Sequence, residues 1–343
     1  MLEVSILYIR KQNPENQDMK LLFAGDVMLG RLVNQMLRKS PPAYPWGDTL
    51  PLFQRADARI CNLECVISDQ GIPWVTPPKV FHFQSDAKNI ESLKAASIDA
   101  VSLANNHVLD FGYDALSSMM NTLEQEGIHH AGAGMTFREA SRPAIWEVKG
   151  NTLGLVACTD NEPVWEATGE QPGVWYVPMQ LQERRAQQLF ESVRKTKEEV
   201  DLLIVSLHWG PNWGYMPQAE HPPFAHALID AGADMVFGHS GHIVRGIEIY
   251  KNKPIMYCTG DFIDDYAVDS IERNDQSFLF LVETDGPTIV RLLLYPTVIR
   301  NFQAMRAKNH ECQAIVALMQ RLCTNLNTAT KWNEQEEHIE IYI

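Results

Sequence analysis

Short apolar runs recur along the chain, and nearly every one is closed by a polar residue beside a glycine or an amide. Lys20-Leu21-Leu22-Phe23-Ala24-Gly25 stops at Asp26, and Ala58-Arg59-Ile60-Cys61 stops at Asn62-Leu63-Glu64. Ala100-Val101-Ser102-Leu103 stops at Ala104-Asn105-Asn106-His107, with Asp110 and Gly112 just behind. Leu202 to Leu207 stops at His208-Trp209-Gly210, Met235-Val236-Phe237 at Gly238-His239-Ser240-Gly241-His242, and Ile255 to Cys258 at Gly260-Asp261-Phe262. Unbroken apolar runs of this length predict strands of a sheet covered on both faces. Residues 128–131 and 151–158 predict further strands, and Phe81-His82-Phe83 alternates like an edge strand.

Between the strands the apolar period changes to that of helices. This predicts helices over 31–39, 87–96, 113–126 (Leu116, Met119, Met120, Leu123), 179–200 (Leu181, Leu189, Val193, Val200) and 222–231, with a proline-rich loop over 41–51. Late in the chain, 278–282, 289–294 and 297–300 are strands spaced for antiparallel pairing, followed by a helix over 311–326 and a terminal strand over 338–343. The expected fold is α/β: a four-layer αββα sandwich of two mixed sheets face to face with helices outside. Gly132-Ala133-Gly134 lacks the rest of a nucleotide fingerprint and reads as a turn.

The 343 residues are 45% hydrophobic, ample for a large core, and no Gly/Ser linker or repeat divides them. The reading is a main domain over 19–300, a helix and strand over 301–343 packing on the same domain, and an N-terminal extension over 1–18, with Met19 as an alternative start. Val4 to Ile9 is too short for a membrane span and lacks a following cleavage pattern. The six cysteines show no zinc-knuckle or redox spacing and read as buried thiols. These points predict a cytoplasmic protein with no integral membrane segment. A formal charge of −14 without basic clusters excludes a nucleic-acid partner. An acidic protein acting on a small-molecule or peptide-like anionic substrate needs a local positive centre, which a bound metal can supply. Oligomeric state is not readable from the sequence.

Taken singly, Asp26 or Asp110 reads as a helix cap and His208 as a satisfied core histidine. Collected, the strand ends present Asp26, Glu64, Asn106, His107, His208, His239 and His242, all oxygen or imidazole donors with no cysteine. That set suits a hard or borderline divalent ion: Mn²⁺, Zn²⁺, Fe²⁺, Mg²⁺ or Ca²⁺. His239 and His242 are three apart, so one turn can aim both inward. The other histidines read as core or surface residues, with His221 and His226 at most on a pocket rim.

The stretches Gly25–Arg31, Asn62–Glu64, Leu103–His107 with Asp110 and Gly112, His208–Gly210, Ile229–Asp234 and Gly238–His242, in this order and spacing, resemble the CapA family. This is the poly-γ-glutamate capsule-synthesis group within the metallophosphoesterase-like superfamily. The resemblance runs from about Lys20 to about Arg300. It implies the αββα fold with a metal site at the sheet edges. It also implies Asp26 and His242 on a first metal, Glu64 in the bridging place, and Asn106, His208 and His239 on a second. His107 would be the catalytic histidine, oriented by Asp110. The chain departs from the pattern in three places. Met28 stands where phosphoesterases carry a first-motif histidine, Ser240-Gly241 interrupts the usual His-Pro-His, and Asp261 replaces the asparagine of Gly-Asn-Phe. The missing imidazole predicts one tight metal and at most one weak one.

The leading functional expectation is a metal-dependent hydrolase of the CapA type, with Arg31 and Arg245 holding an anionic phosphoester or γ-glutamyl substrate linked to capsule metabolism. A metal-dependent peptide or amino-acid epimerase and a non-catalytic capsule-assembly protein are the alternatives.

Overall fold

The computed structural model describes residues 17–343. The apolar run Val4 to Ile9 and most of the expected N-terminal extension lie outside them.

Two large sheets pack face to face. The first has the strand order 331–333, 338–342, 288–300, 276–285, 20–27, 58–63, 100–102, 129–131, with 261–263 added beside 20–27 and 303–306 beside 288–300. The second runs 247–250, 253–256, 235–239, 202–208, 151–159, 144–148. Both are mixed. The 20–27, 58–63, 100–102 and 129–131 strands are mutually parallel, as are 151–159, 202–208, 235–239 and 253–256.

Alternation along the strands divides the apolar residues into three layers. Leu21, Phe23 and Ile60 of the first sheet meet Leu153, Leu155, Ile204 and Phe237 of the second in the space between sheets. The Phe23 and Phe237 rings lie 5.2 Å apart across that space. Leu22, Ala24 and Cys61 face outward beneath Val33, Leu93, Leu116, Met119 and Leu123 of the outer helices. Val156, Leu203 and Val205 face outward on the other side beneath Leu189, Val193, Phe224 and Leu228. The result is the expected αββα sandwich. The helix Asn309–Thr324 packs Ile315, Met319 and Leu322 into the inter-sheet core, and His338–Tyr342 pairs antiparallel with Thr288–Arg300.

Local differences from the sequence reading have identifiable causes. The expected strand 81–83 is not a strand. The Phe83 amide donates to the Asp110 carboxylate (2.7 Å), so this segment covers the loop after 100–102 instead of joining a sheet. The proline-rich stretch 41–51 holds a 3₁₀ turn, Tyr44–Thr49, followed by the short helix Leu50–Phe53, with Trp46 anchored in the outer core. Residues 289–294 and 297–300 belong to one strand, Thr288–Arg300, which carries Pro296 without a break. The helix expected from 179 begins at Arg184. The strands Ala144–Val148 and Ile247–Tyr250 extend the second sheet beyond expectation, the latter pairing with Lys253–Met256, which overlaps the expected strand 255–258. Among the described residues no helix is long and apolar enough to cross a membrane.

Candidate metal centre

Parallel strands deliver their last residues to one edge, and here two sheets do so at the same end of the sandwich. Asp26 closes Lys20–Val27, with Gly25 before it for a steric reason. A Cβ on Gly25 would stand 1.9 Å from the Gly260 carbonyl oxygen. That close approach lets the Asp26 amide donate to the same oxygen at 3.0 Å. His208 and His239 end adjacent strands in direct register.

The polar side chains converge. Asn62 donates to Asp26 Oδ1 (2.7 Å). The Ser240 amide donates to Asp26 Oδ2 (3.3 Å). His208 Nδ1 lies 2.8 Å from His239 Nδ1, and His208 Nε2 lies 3.0 Å from Asn106 Oδ1. His239 Nε2 is 2.7 Å from Ser206 Oγ, which leaves its Nδ1 facing Asp26 at 3.8 Å. On the other side of Asp26, His242 Nδ1 lies 3.0 Å from Asp261 Oδ1. Two donor groups result, Asp26/His208/His239 and Asp26/His242/Asp261, each with its ligand atoms within 4.8 Å of one another. Asp26 belongs to both. Glu64 lies beside the first of them. Neither of its oxygens has a hydrogen-bond partner, and it is completely buried, with Oε1 4.0 Å from both His107 Nε2 and His208 Nε2. Asp261 Oδ2 is likewise buried without a partner.

Electrostatics make this set unfavourable as it stands. Burial raises the Asp26 carboxyl and pushes Glu64 well above its usual range, with the Asp26 and Asp261 charges adding to the Glu64 shift. Asp261 and Asp264 are driven up in the same way, first by burial and then by their acidic neighbours. Burial pushes His239 down to about 3 and His208 well below its ordinary value. So the imidazoles are held neutral, with lone pairs available, beside carboxyls that lack a counter-charge. A divalent cation would satisfy both conditions at once. Orphaned buried carboxyl oxygens, neutral imidazoles and an amide oxygen are a donor set that fits such an ion.

His107 sits one residue beyond Asn106 and is held differently. Its Nδ1 lies 2.6 Å from Asp110 Oδ2, its amide donates to Asn105 Oδ1, and its ring stacks on Phe83 with centroids 3.8 Å apart. Asp110 also pairs with Lys79 Nζ at 2.9 Å. Lys79 donates to the Asn106 carbonyl as well and lies over the Trp165 ring. Burial holds His107 down to about 4, partly opposed by Asp110. A cavity of about 500 Å³ opens over this dyad, lined by Arg31, Lys79, Phe81, His107, Trp213 and His242 among others.

The structure thus brings Asp26, Glu64, Asn106, His107, Asp110, His208, His239 and His242 together. Arg31 reaches the cavity wall. Arg245 does not: it is buried, and its guanidinium donates to the carbonyls of Pro211, Trp213 and Gly214, so it holds a loop and faces no substrate. Met28 packs in the outer core, its sulfur accepting from the Gly30 amide. Sequence reasoning assigned no role to Asn62, which links Asp26 to the His208 side, or to Lys79. Asn62 stood inside a recognised strand-end triplet. Lys79 lay in a loop with no pattern to mark it.

Comparison with known proteins bears on the family of the chain. Residues 20–266 match the family model described as "Bacterial capsule synthesis protein PGA_cap". A protein of Mycobacterium tuberculosis named "Probable polyglutamine synthesis accessory protein" is 33% identical, covering 88% of this chain and 90% of its own length. The "Capsule biosynthesis protein CapA" of Bacillus anthracis is 26% identical over 73% of this chain and 61% of its own. The "PGA biosynthesis protein CapA" of Bacillus subtilis is 25% identical over 71% of this chain and 62% of its own. A solved structure described as a novel phosphatase from Mycoplasma pneumoniae superposes with a TM-score of 0.52 at 14% identity, covering 82% of this chain and 94% of that one. That similarity is one of fold alone. With most of its length matched and the strand-end motifs in place, this chain belongs to the bacterial capsule synthesis (PGA_cap, CapA) family.

Proposed function

We propose that this protein is a metal-dependent hydrolase acting on an anionic phosphoester or γ-glutamyl, peptide-like substrate, in keeping with the capsule and polyglutamate roles in its relatives' names. The observation that carries this reading is Glu64. Two carboxyl oxygens that receive no donor, fully buried beside Asp26 and 4.0 Å from His208 Nε2, make chemical sense beside a cation. Asp26, Asn106, His208 and His239 would hold one ion, Asp26 and His242 the second position, and Glu64 would face both. Bound there, a divalent ion would polarise a phosphoryl or carbonyl oxygen and acidify water.

The chain's own residues supply the rest. Asp110, anchored by Lys79 and the Phe83 amide, accepts from His107 Nδ1 and fixes the ring tautomer. His107 Nε2 then carries a lone pair near the mouth of the cavity. It takes a proton from the attacking water or a substrate hydroxyl and returns it to the leaving group, so the histidine ends as it began. Arg31 on the cavity wall meets the substrate's charge.

The test is turnover by protein loaded with Mn²⁺ or Zn²⁺ on p-nitrophenyl phosphate, bis-p-nitrophenyl phosphate and γ-glutamyl-p-nitroanilide. Hydrolysis abolished by chelation and restored by metal is expected. Metal-loaded protein that turns over no member of a broadened panel of phosphoesters and γ-glutamyl amides would overturn the reading.

A further inference from the structure

Soluble proteins scatter their exposed apolar residues singly, and a concentration of them marks a binding surface. Thirteen large apolar side chains are exposed among the described residues, and eight fall in three loops: four in 72–81, two in 213–216 and two in 268–271. Several are almost fully exposed, with Val80 at 86%, Ile271 at 82% and Ile72 at 79%.

The first two of these loops reach the cavity, and the third starts one residue beyond its lining. Val80, Phe81, Trp213 and Ala267 all line it. The Gly214 amide donates to the Glu272 carboxylate at 3.1 Å, joining the second loop to the third. The first loop is tied down over the His107 loop by Ile72 and Trp74 amides donating to the Phe111 and Asp110 carbonyls. The second is held by Arg245, and Trp213 sits there in the left-handed region at φ 70°. Both a buried arginine and a strained backbone are sustained to present Trp213 at the mouth. At the inner edge of this apolar rim stands Arg31, also left-handed at φ 50°. Its Nε pairs with Asp265 at 3.2 Å, and its guanidinium lies 5.3 Å over the Phe81 ring. Its guanidinium lines the cavity, so one positive fork stands beside the apolar rim.

We propose that the substrate is amphiphilic: an anionic head group that enters the cavity past Arg31, carrying a hydrocarbon chain that lies across the apolar rim formed by Val80, Phe81 and Trp213. A small hydrophilic anion would gain nothing from side chains such as Val80 and Trp213, whereas an alkyl chain would cover them. Charge and apolarity are complementary along one line, from Arg31 outward. The inference rests on the proposed metal site for the head group and adds the chemistry of the remainder.

The experiment is calorimetric binding to the full chain loaded with Mn²⁺. Probes are inorganic phosphate and butyl, octyl and dodecyl phosphate below their micelle concentrations, with octyl maltoside as the uncharged control. Affinity should rise with chain length, and octyl phosphate should bind at least ~10-fold more tightly than inorganic phosphate, because each buried methylene favours association. Val80→Ser, at an exposed position on the cavity rim, should reduce octyl phosphate affinity and leave that of inorganic phosphate unchanged. Phosphate binding with no chain-length dependence overturns this inference and leaves the hydrolase reading standing. Octyl maltoside binding as tightly as octyl phosphate also overturns it, reducing the rim to an adventitious apolar patch. Failure of every anionic probe to bind overturns this inference as well, while the hydrolase reading is decided by turnover.

Discussion

Asp26 and Asp261 stand opposite one another on neighbouring parallel strands, and His242 lies beside them. Both carboxyls are buried and raised by burial, Asp261 further by the charge of Asp26. Two such groups side by side repel if ionised, and each is stabilised by a shared cation. Asp261 therefore stands where it can contribute the donor that Met28, packed into the outer core, does not.

Metal content should separate the two halves of the centre. His208→Ala and Asp261→Asn should each lower the stoichiometry or affinity of one equivalent, read by elemental analysis and by titration of metal-free protein. The family pattern predicts that the His242 side is the weaker. Two equally tight equivalents would show that Asp261 fully replaces the missing imidazole. Unchanged binding in folded Asp261→Asn protein would exclude it as a ligand.

His107→Ala should keep the fold and nearly all the metal while lowering turnover by roughly 10²–10⁴-fold, the usual loss when a proton-transfer group is removed. Asp110→Asn should lose less, because the ring remains in place with a poorer orienting partner. Steady-state rates alongside metal analysis decide this. A His107→Ala protein without metal would make His107 a ligand.

Gly25→Ala should be strongly destabilising, about 3 kcal/mol or more, because its Cβ would clash with backbone and no flexible side chain there can yield. Denaturant unfolding of the variant measures it. A loss under about 1 kcal/mol would mean that the strands carrying Asp26 and Asp261 separate easily.

Asp86 provides a pH test away from the centre. Arg38 donates to both its oxygens (2.7 and 2.8 Å), and this bonding, with Asn34, holds its carboxyl down at about 2. An unfolded aspartate titrates near ~3.9, so the pair's stabilisation is fully present above that pH and is lost as pH falls towards 2. The pair is largely solvated, so its contribution is small. Asp86→Asn should lower Tm at pH 7, and the gap from the parent should close near pH 2.5. A gap independent of pH would show that the bond does not depend on charge.

Gly71 and Gly210 mark how tightly the loops around the centre are built. A Cβ on either would meet the Phe111 carbonyl or the His221 ring, at 2.1 and 2.5 Å.

Periodicity in the sequence determined the layers. Residues alternating with period two, such as Leu21/Phe23 against Leu22/Ala24, had to face opposite sides of a sheet, and the helical stripes had to cover the outer faces. The strand ends that would carry chemistry were legible too, because a donor closing an apolar run has nowhere to go but the sheet edge. Other features depended on tertiary contacts between segments far apart in the chain. Arg245 looked like any cationic candidate, and only the Pro211–Gly214 carbonyls around it turned it into a loop anchor. Phe81–Phe83 had the pattern of a strand, but the Asp110 carboxylate took the Phe83 amide. Asp261 came beside Asp26 because its strand pairs with Lys20–Val27, a parallel pairing across more than two hundred residues that no local pattern encodes.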